Sequence, residues 1–421
     1  VTWTKVLLVL GILAFSSAGV VALVSRTPAA VREAAPGRAA TDPSLGARFT
    51  AAEVSRAGAF QGPGYLSYAL GTFLTLAAFL LLARGPIARL ASWVEHVPGG
   101  WPVRVVIVAA AIAIVVTVLS LPLGFVRGFV VSRDWGLSTQ SFSGWMSDQA
   151  RSLAVGLVVA SVTALVFFGL VRWQPRWWWL YGWAAFSVLT VLLTFLWPIV
   201  IAPLFNKFTP LEDGSLDKQI LALASEAHVP LTEVLVADAS KRSTAENAYV
   251  AGLGSSKQLV LYDTLLKNGN EKETLFVVAH ELGHELRNHV IKGVLLSCVG
   301  LFAAFAALAW LSHRGAVWTW AGADGIGDIR ALPLLLVFVM VATLLTLPIQ
   351  NAVSRHFEAE ADATAFHLTH DPDTAVRVFR RLAFSNISDL RPPAIVTWLL
   401  YTHPPVADRI SAAVAESGSA P

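Results

Sequence analysis

Long apolar runs separated by short polar gaps dominate the chain. A membrane-spanning helix needs ~20 predominantly apolar residues. Seven stretches reach or approach that length: 6–24, 65–83, 105–125, 153–171, 180–201, 294–311 and 332–348. The first is read as a retained helix rather than a signal peptide, because its apolar run is long for one, although Lys5 precedes it. Residues 25–64 are rich in Ala, Pro and Arg and read as an irregular loop. Trp173, Trp177, Trp178 and Trp179 cluster beside Arg172 and Arg176, as in an interfacial aromatic belt. The interval 205–290 breaks the pattern, since its charge density rises and amphipathic spacing replaces continuous apolarity. Residues 216–228 predict a helix with one apolar face. The short runs 234–237, 248–252 and 259–262, separated by Gly and Ser, predict a small sheet. Helical character resumes over 271–290, and from Ser354 onward polar and apolar residues mix again.

Composition agrees with a membrane protein. Hydrophobic residues make up 55% and charged residues 14%, against ~25% charged in soluble domains. A formal charge of +3 without any Lys/Arg run points to membrane topology and a lipid-bilayer partner, not to nucleic acid. The arginines concentrate in 25–64 and in the tail from Arg355 to Arg409. By the positive-inside rule this puts 205–290 and 354–421 in the cytoplasm. Cys298 is the one cysteine, so no intramolecular disulfide can form, and a metal site must be built from nitrogen and oxygen ligands.

The segment FVVAHELGHELRNH carries the chemistry. His280 and His284 are four residues apart, ~40° apart around a helix axis, so both imidazoles leave one face and can share one zinc ion. Glu281, ~100° away, can reach a zinc-bound water and take its proton. With ten histidines in 421 residues, a chance His-Glu-x-x-His arises in roughly one such chain in a hundred. A catalytic zinc needs a third protein ligand, and SRHFEAEADATAF offers Glu358, Glu360 and Asp362. Glu358 and Asp362 share a helix face and Glu360 points away from it. One of the pair would bind metal and the other orient a ligand imidazole, and spacing does not decide which. Asn247, leading into a strand, and His403, ahead of Pro-Pro, are candidate donors to an oxyanion. His289 and His356 are not expected as ligands.

Taken together, IAPLFNKFTPL, KRSTAENAY, HELGH, NAVSRHFEAEAD and THPP resemble the CAAX prenyl protease 1 family of integral-membrane zinc peptidases, over residues 197–409. The resemblance implies one Zn2+ held by His280, His284 and Glu358, with Glu281 as general base and Asp362 behind a ligand histidine. It implies that Asn247 and His403 line the site and contact the substrate backbone or oxyanion, and that Arg355 supports the site. The expected fold is mainly α and polytopic: about seven transmembrane helices form a water-filled chamber, joined to a small α+β zincin-like catalytic domain. The expected division is 1–204, a membrane region with five helices; 205–290, the catalytic segment; 291–353, two further spans; and 354–421, the segment with the third ligand. The partner would be a peptide or protein substrate, including a lipidated or membrane-protein C-terminus. The Ala/Arg/Gly/Val-rich composition suggests the plasma membrane of a bacterium, where prenylated Cys-a-a-X substrates are not expected.

Three other readings compete. An HtpX-type quality-control protease would have four spans rather than seven. A metal-binding transporter would place its charges within the spans, whereas the charges singled out above lie outside them. A non-catalytic scaffold would have no need of Glu281.

Overall fold

The computed structural model describes residues 2–34, 49–212, 214–252, 254 and 257–419. Among the described residues, seven helices are long and apolar enough to cross a membrane. The N-terminal five are α1 (Trp3–Val24), α2 (Ala51–Ala83), α3 (Gly100–Gly124), α4 (Phe142–Trp173) and α5 (Trp178–Leu196). Val6, Leu10 and Ala14 of α1 form one buried stripe at helical spacing. It packs against Leu74 and Ala78 of α2 and Leu119 of α3.

The second helix corrects the sequence reading. It starts at Ala51, where Thr50 Oγ1 accepts from Glu53 N (3.2 Å) and Glu53 Oε2 accepts from Thr50 N (2.6 Å), a reciprocal cap. Residues 51–64 are therefore helix, not loop. Alanine is a strong helix former but carries little apolar bulk, so hydropathy passes over an Ala-rich helical turn. Residues 35–48 of the expected loop lie outside the described residues.

Between the fifth and sixth spans the chain builds β1 (Phe208–Pro210), α6 (Ser215–Glu226), β2 (Leu231–Ala237), β3 (Ala248–Ala251), β4 (Lys257–Tyr262) and α7 (Glu271–Leu286). The sheet order is β1-β2-β4-β3. β2 and β4 pair parallel, while β1 and β3 pair antiparallel with β2 and β4. β3 is thus an edge strand. A reciprocal cap starts α7: Asn270 Oδ1 accepts from Glu273 N (3.0 Å) and Glu273 Oε2 from Asn270 N (3.3 Å). The expected single helix over 271–290 is interrupted, because Asn288 sits in the left-handed region (φ 54°, ψ 39°). Asparagine tolerates that conformation at a helix end.

Then follow α8 (His289–Ser312), α9 (Leu332–Thr369), α10 (Pro372–Ser385), α11 (Ala394–Leu400) and α12 (Val406–Ser419). The seventh expected span, 332–348, continues without a break into the acidic segment. Pro348 lies inside the helix, where neighbouring helices of a membrane bundle tolerate it. The 38 residues of α9 measure ~57 Å at ~1.5 Å per residue. A bilayer core is ~30 Å thick, so the end of α9 that carries Glu358 and Asp362 projects beyond it.

Two cores clamp α7. Phe276 and Ala279 pack with Phe366 of α9 and Val378 and Phe379 of α10. Val278 and Leu282 pack with Leu259 and Leu261 of the sheet and Ile220 of α6. Burying each large side chain contributes roughly 1.5–3 kcal/mol, so the helix is fixed on two sides. Within the bundle, α3, α4, α8 and α9 enclose most of a cavity of about 1490 Å³. Its lining is largely apolar, with Gln149, His289, Gln350 and Ser354 among the polar exceptions.

Candidate metal centre

Helix periodicity puts His280 and His284 on one face of α7, and α9 crosses that face with Glu358. One ligand atom from each of the three residues lies within 4.8 Å of the others. His280 Nε2 and His284 Nε2 are 3.2 Å apart. Glu358 Oε2 is 3.3 Å from His280 Nε2, and Glu358 Oε1 is 3.6 Å from His284 Nε2. Donors ~2.0–2.1 Å from a tetrahedral zinc stand about 3.3 Å from one another, so these spacings fit one ion. Two neutral imidazole nitrogens with facing lone pairs repel unless a proton or cation lies between them. Glu358 Oε2 is also buried without a hydrogen-bond partner, which a cation at the centre would resolve. These three residues therefore could hold a divalent metal.

The helices approach closely because position 283 is glycine. A Cβ there would lie 3.1 Å from both Cα and O of Ala361 and 3.0 Å from Cβ of Thr364. Around the triad, Asp362 Oδ1 stands 2.9 Å from His280 Nδ1. Arg409 of α12 grips Asp362 with two hydrogen bonds, Nε to Oδ2 (2.8 Å) and Nη2 to Oδ1 (2.6 Å). His289 Nδ1 is 3.0 Å from His284 Nδ1, and its Nε2 is 3.0 Å from Glu360 Oε2. His403 Nε2 lies 3.2 Å from Glu358 Oε2. The loop carrying His403 is held by Arg355, whose Nη1 donates to Thr397 O (2.9 Å) and Tyr401 O (2.8 Å). Tyr65 of α2 donates to Asp389 (2.8 Å) and its hydroxyl meets that of Tyr401 at 3.0 Å.

Electrostatics separate the groups on α7. Burial pushes the Glu281 carboxyl up to about 7, which poises it to exchange a proton near neutrality. Burial acts to lower His280, but the Asp362 and Glu358 carboxylates outweigh it and hold the imidazole up at about 9. His284 is driven down to about 4 by burial, reinforced by the neighbouring His280.

The structure thus brings His280, His284, Glu358, Asp362 and His403 together, and ties Arg355 to the His403 loop. Asn247 is placed differently. It is exposed just before β3, its backbone O accepting from Tyr262 N (3.0 Å), while β3 itself packs against α7. His356 is exposed, 3.9 Å from Glu360. Sequence reasoning missed Arg409 and the link from His289 to His284. No spacing rule reaches Arg409, which lies 47 residues from Asp362. His289 carried a weak signal as a histidine five residues past His284, but the left-handed Asn288 that turns it back is not legible from spacing.

The chain is similar to known proteins over most of its length. Residues 210–417 match the description "Peptidase family M48", and residues 64–207 match "CAAX prenyl protease N-terminal, five membrane helices". The chain is 33% identical over 343 residues to YhfN of Bacillus subtilis (strain 168), named an uncharacterized metalloprotease; the match covers 81% of this chain and 80% of that protein. CAAX prenyl protease 1 of Saccharomyces cerevisiae is 30% identical over 313 residues, covering 70% of this chain and 69% of the yeast protein. The crystal structure of S. mikatae Ste24p matches with a TM-score of 0.77 at 24% identity, covering 98% and 99% of the two chains. At that identity it speaks to the fold alone.

Proposed function

This chain belongs to peptidase family M48, in its CAAX prenyl protease group, and on that premise we propose that it is a zinc endopeptidase whose centre is His280, His284 and Glu358. As a member it is an integral-membrane metallopeptidase, and the finer assignments are the proposal. The observation that carries them is the convergence of three ligand atoms from α7 and α9 at tetrahedral spacing. A zinc ion there would polarise the scissile carbonyl and acidify water.

The chain's own residues supply the rest. Glu281 takes the proton of the attacking water and returns it to the leaving amine, a role that its raised carboxyl suits at neutral pH. His403, beside Glu358, donates to the developing oxyanion. Asp362 and Arg355 act at one remove, the first on His280 and the second on the His403 loop. β3, an edge strand against α7, accepts the peptide as an added strand, and Asn247 at its start holds the peptide backbone. The largely apolar cavity, which reaches His289 and Phe357, supports a substrate with an apolar or lipid-bearing segment.

The catalytic end faces the cytoplasm of a bacterial cell in this reading. Arg56 donates to Arg32 O and to Phe384 O, and Tyr65 donates to Asp389, so Arg56 at the start of α2, with Arg32 beside it, shares one end of the bundle with the arginine-rich tail. Seven spans favour this over an HtpX-type enzyme. The test is cleavage of a prenylated Cys-a-a-X peptide and its unprenylated twin by the purified protein in detergent. Chelator-sensitive cleavage of either supports the peptidase. Equal rates on both remove any prenyl requirement, and no cleavage of these or of unfolded membrane proteins overturns the proposal.

A further inference from the structure

His284 projects Nε2 toward the centre, and its other nitrogen faces His289 Nδ1 at 3.0 Å rather than solvent or a carbonyl. His289 is itself pinned. Its Nε2 is 3.0 Å from Glu360 Oε2, and its ring stacks on Phe357 with centroids 4.3 Å apart and planes 7° from parallel. With His289 neutral, these contacts allow one consistent placement of protons. An ionised Glu360 only accepts, so His289 carries its proton on Nε2 and leaves Nδ1 as an acceptor. His284 must then carry its proton on Nδ1 and donate it to His289. The lone pair of His284 Nε2 is left facing the centre, which is what a metal ligand requires.

The same helix serves all three ligands with alternate carboxylates. Glu358 enters the centre, Asp362 meets His280 directly, and Glu360, on the other side of α9, reaches His284 only through His289. The intermediate imidazole closes a gap that Glu360 does not span.

We propose that His289 and Glu360 form a positioning relay that sets the tautomer and ring orientation of His284, and so the metal affinity of the site. The proposal rests on the metal reading given above. Losing such a partner typically weakens metal binding 10–100-fold.

The test is zinc affinity of the purified full-length protein, measured by competition with a chromophoric chelator, together with the visible spectrum of the cobalt-substituted form. His289→Ala and Glu360→Ala are each expected to bind zinc at least tenfold more weakly and to shift the cobalt bands. His289→Gln, whose amide supplies one acceptor and one donor, is expected to recover most of the affinity. Thermal unfolding of the chelated proteins separates positioning from folding, because the alanine variants should match the wild type there. Wild-type affinity in His289→Ala overturns the relay alone. Equal losses in His289→Gln and His289→Ala, with unchanged unfolding, overturn the tautomer argument. A wild-type chain that binds no zinc overturns the metal reading and the relay with it.

Discussion

Gly283 of α7 lies directly on Ala361 of α9, so close that a Cβ at 283 would stand 3.1 Å from the Ala361 Cα and O. This contact sets the separation of the two helices that carry the centre. Gly283→Ala must push α9 away by a few tenths of an ångström, taking Glu358 with it. The expected result is a loss of roughly 1–3 kcal/mol, the usual cost of overpacking, with weaker zinc binding. Thermal unfolding and zinc competition measure the two effects separately.

Glu281→Gln removes the base and keeps the side-chain shape. Turnover is expected to fall about 10²–10⁴-fold, the usual worth of a general acid–base group, while zinc content stays at the wild-type level. Full activity with zinc bound would remove Glu281 from the mechanism.

Zinc binding should depend on pH through His280. In the metal-free site this imidazole holds its proton up to about 9, and zinc needs it neutral. A raised pKa means that protons compete below it, so affinity rises with pH. Between about 7 and 8, where His284 is already neutral, the expected gain approaches tenfold per pH unit, flattening as the pH nears 9. Titrations in buffers of different ionisation enthalpy should show one proton released per zinc in that window.

Arg409→Met takes the guanidinium from a buried carboxylate and leaves it His280 alone as a charged partner. Asp362 has a side chain 5% exposed and takes two hydrogen bonds from Arg409. Removing one partner of a buried pair costs about 3–5 kcal/mol. Denaturant unfolding of the chelated protein measures the loss, and Asp362→Leu with Arg409→Met is expected to recover much of it.

Arg355→Ala frees the loop that presents His403, since one guanidinium nitrogen ties down both Thr397 O and Tyr401 O. The expected outcome is a fall in kcat/KM of about tenfold, equivalent to ~1.4 kcal/mol, with zinc affinity unchanged. Steady-state kinetics beside a zinc titration decide it.

The sequence alone determined the membrane class, the seven apolar spans and the pairing of His280 with His284. Each depends on local order: span length on a run of apolar side chains, and the histidine pair on the 3.6-residue period of one helix. Local order also narrowed the proposed third ligand to the acidic run after the last span, but left Glu358 and Asp362 as equals. The tertiary structure separates them, because the crossing of α7 and α9 at Gly283 brings Glu358 against both Nε2 atoms and Asp362 against the far side of His280. Helix ends were legible only in part, since hydropathy passes over the Ala-rich turns of 51–64 and stops at Pro348. Arg409 and the chain from Glu360 through His289 to His284 belong to the tertiary structure outright. Contacts between residues 47 or 71 positions apart follow from how helices pack, which no period in the sequence encodes.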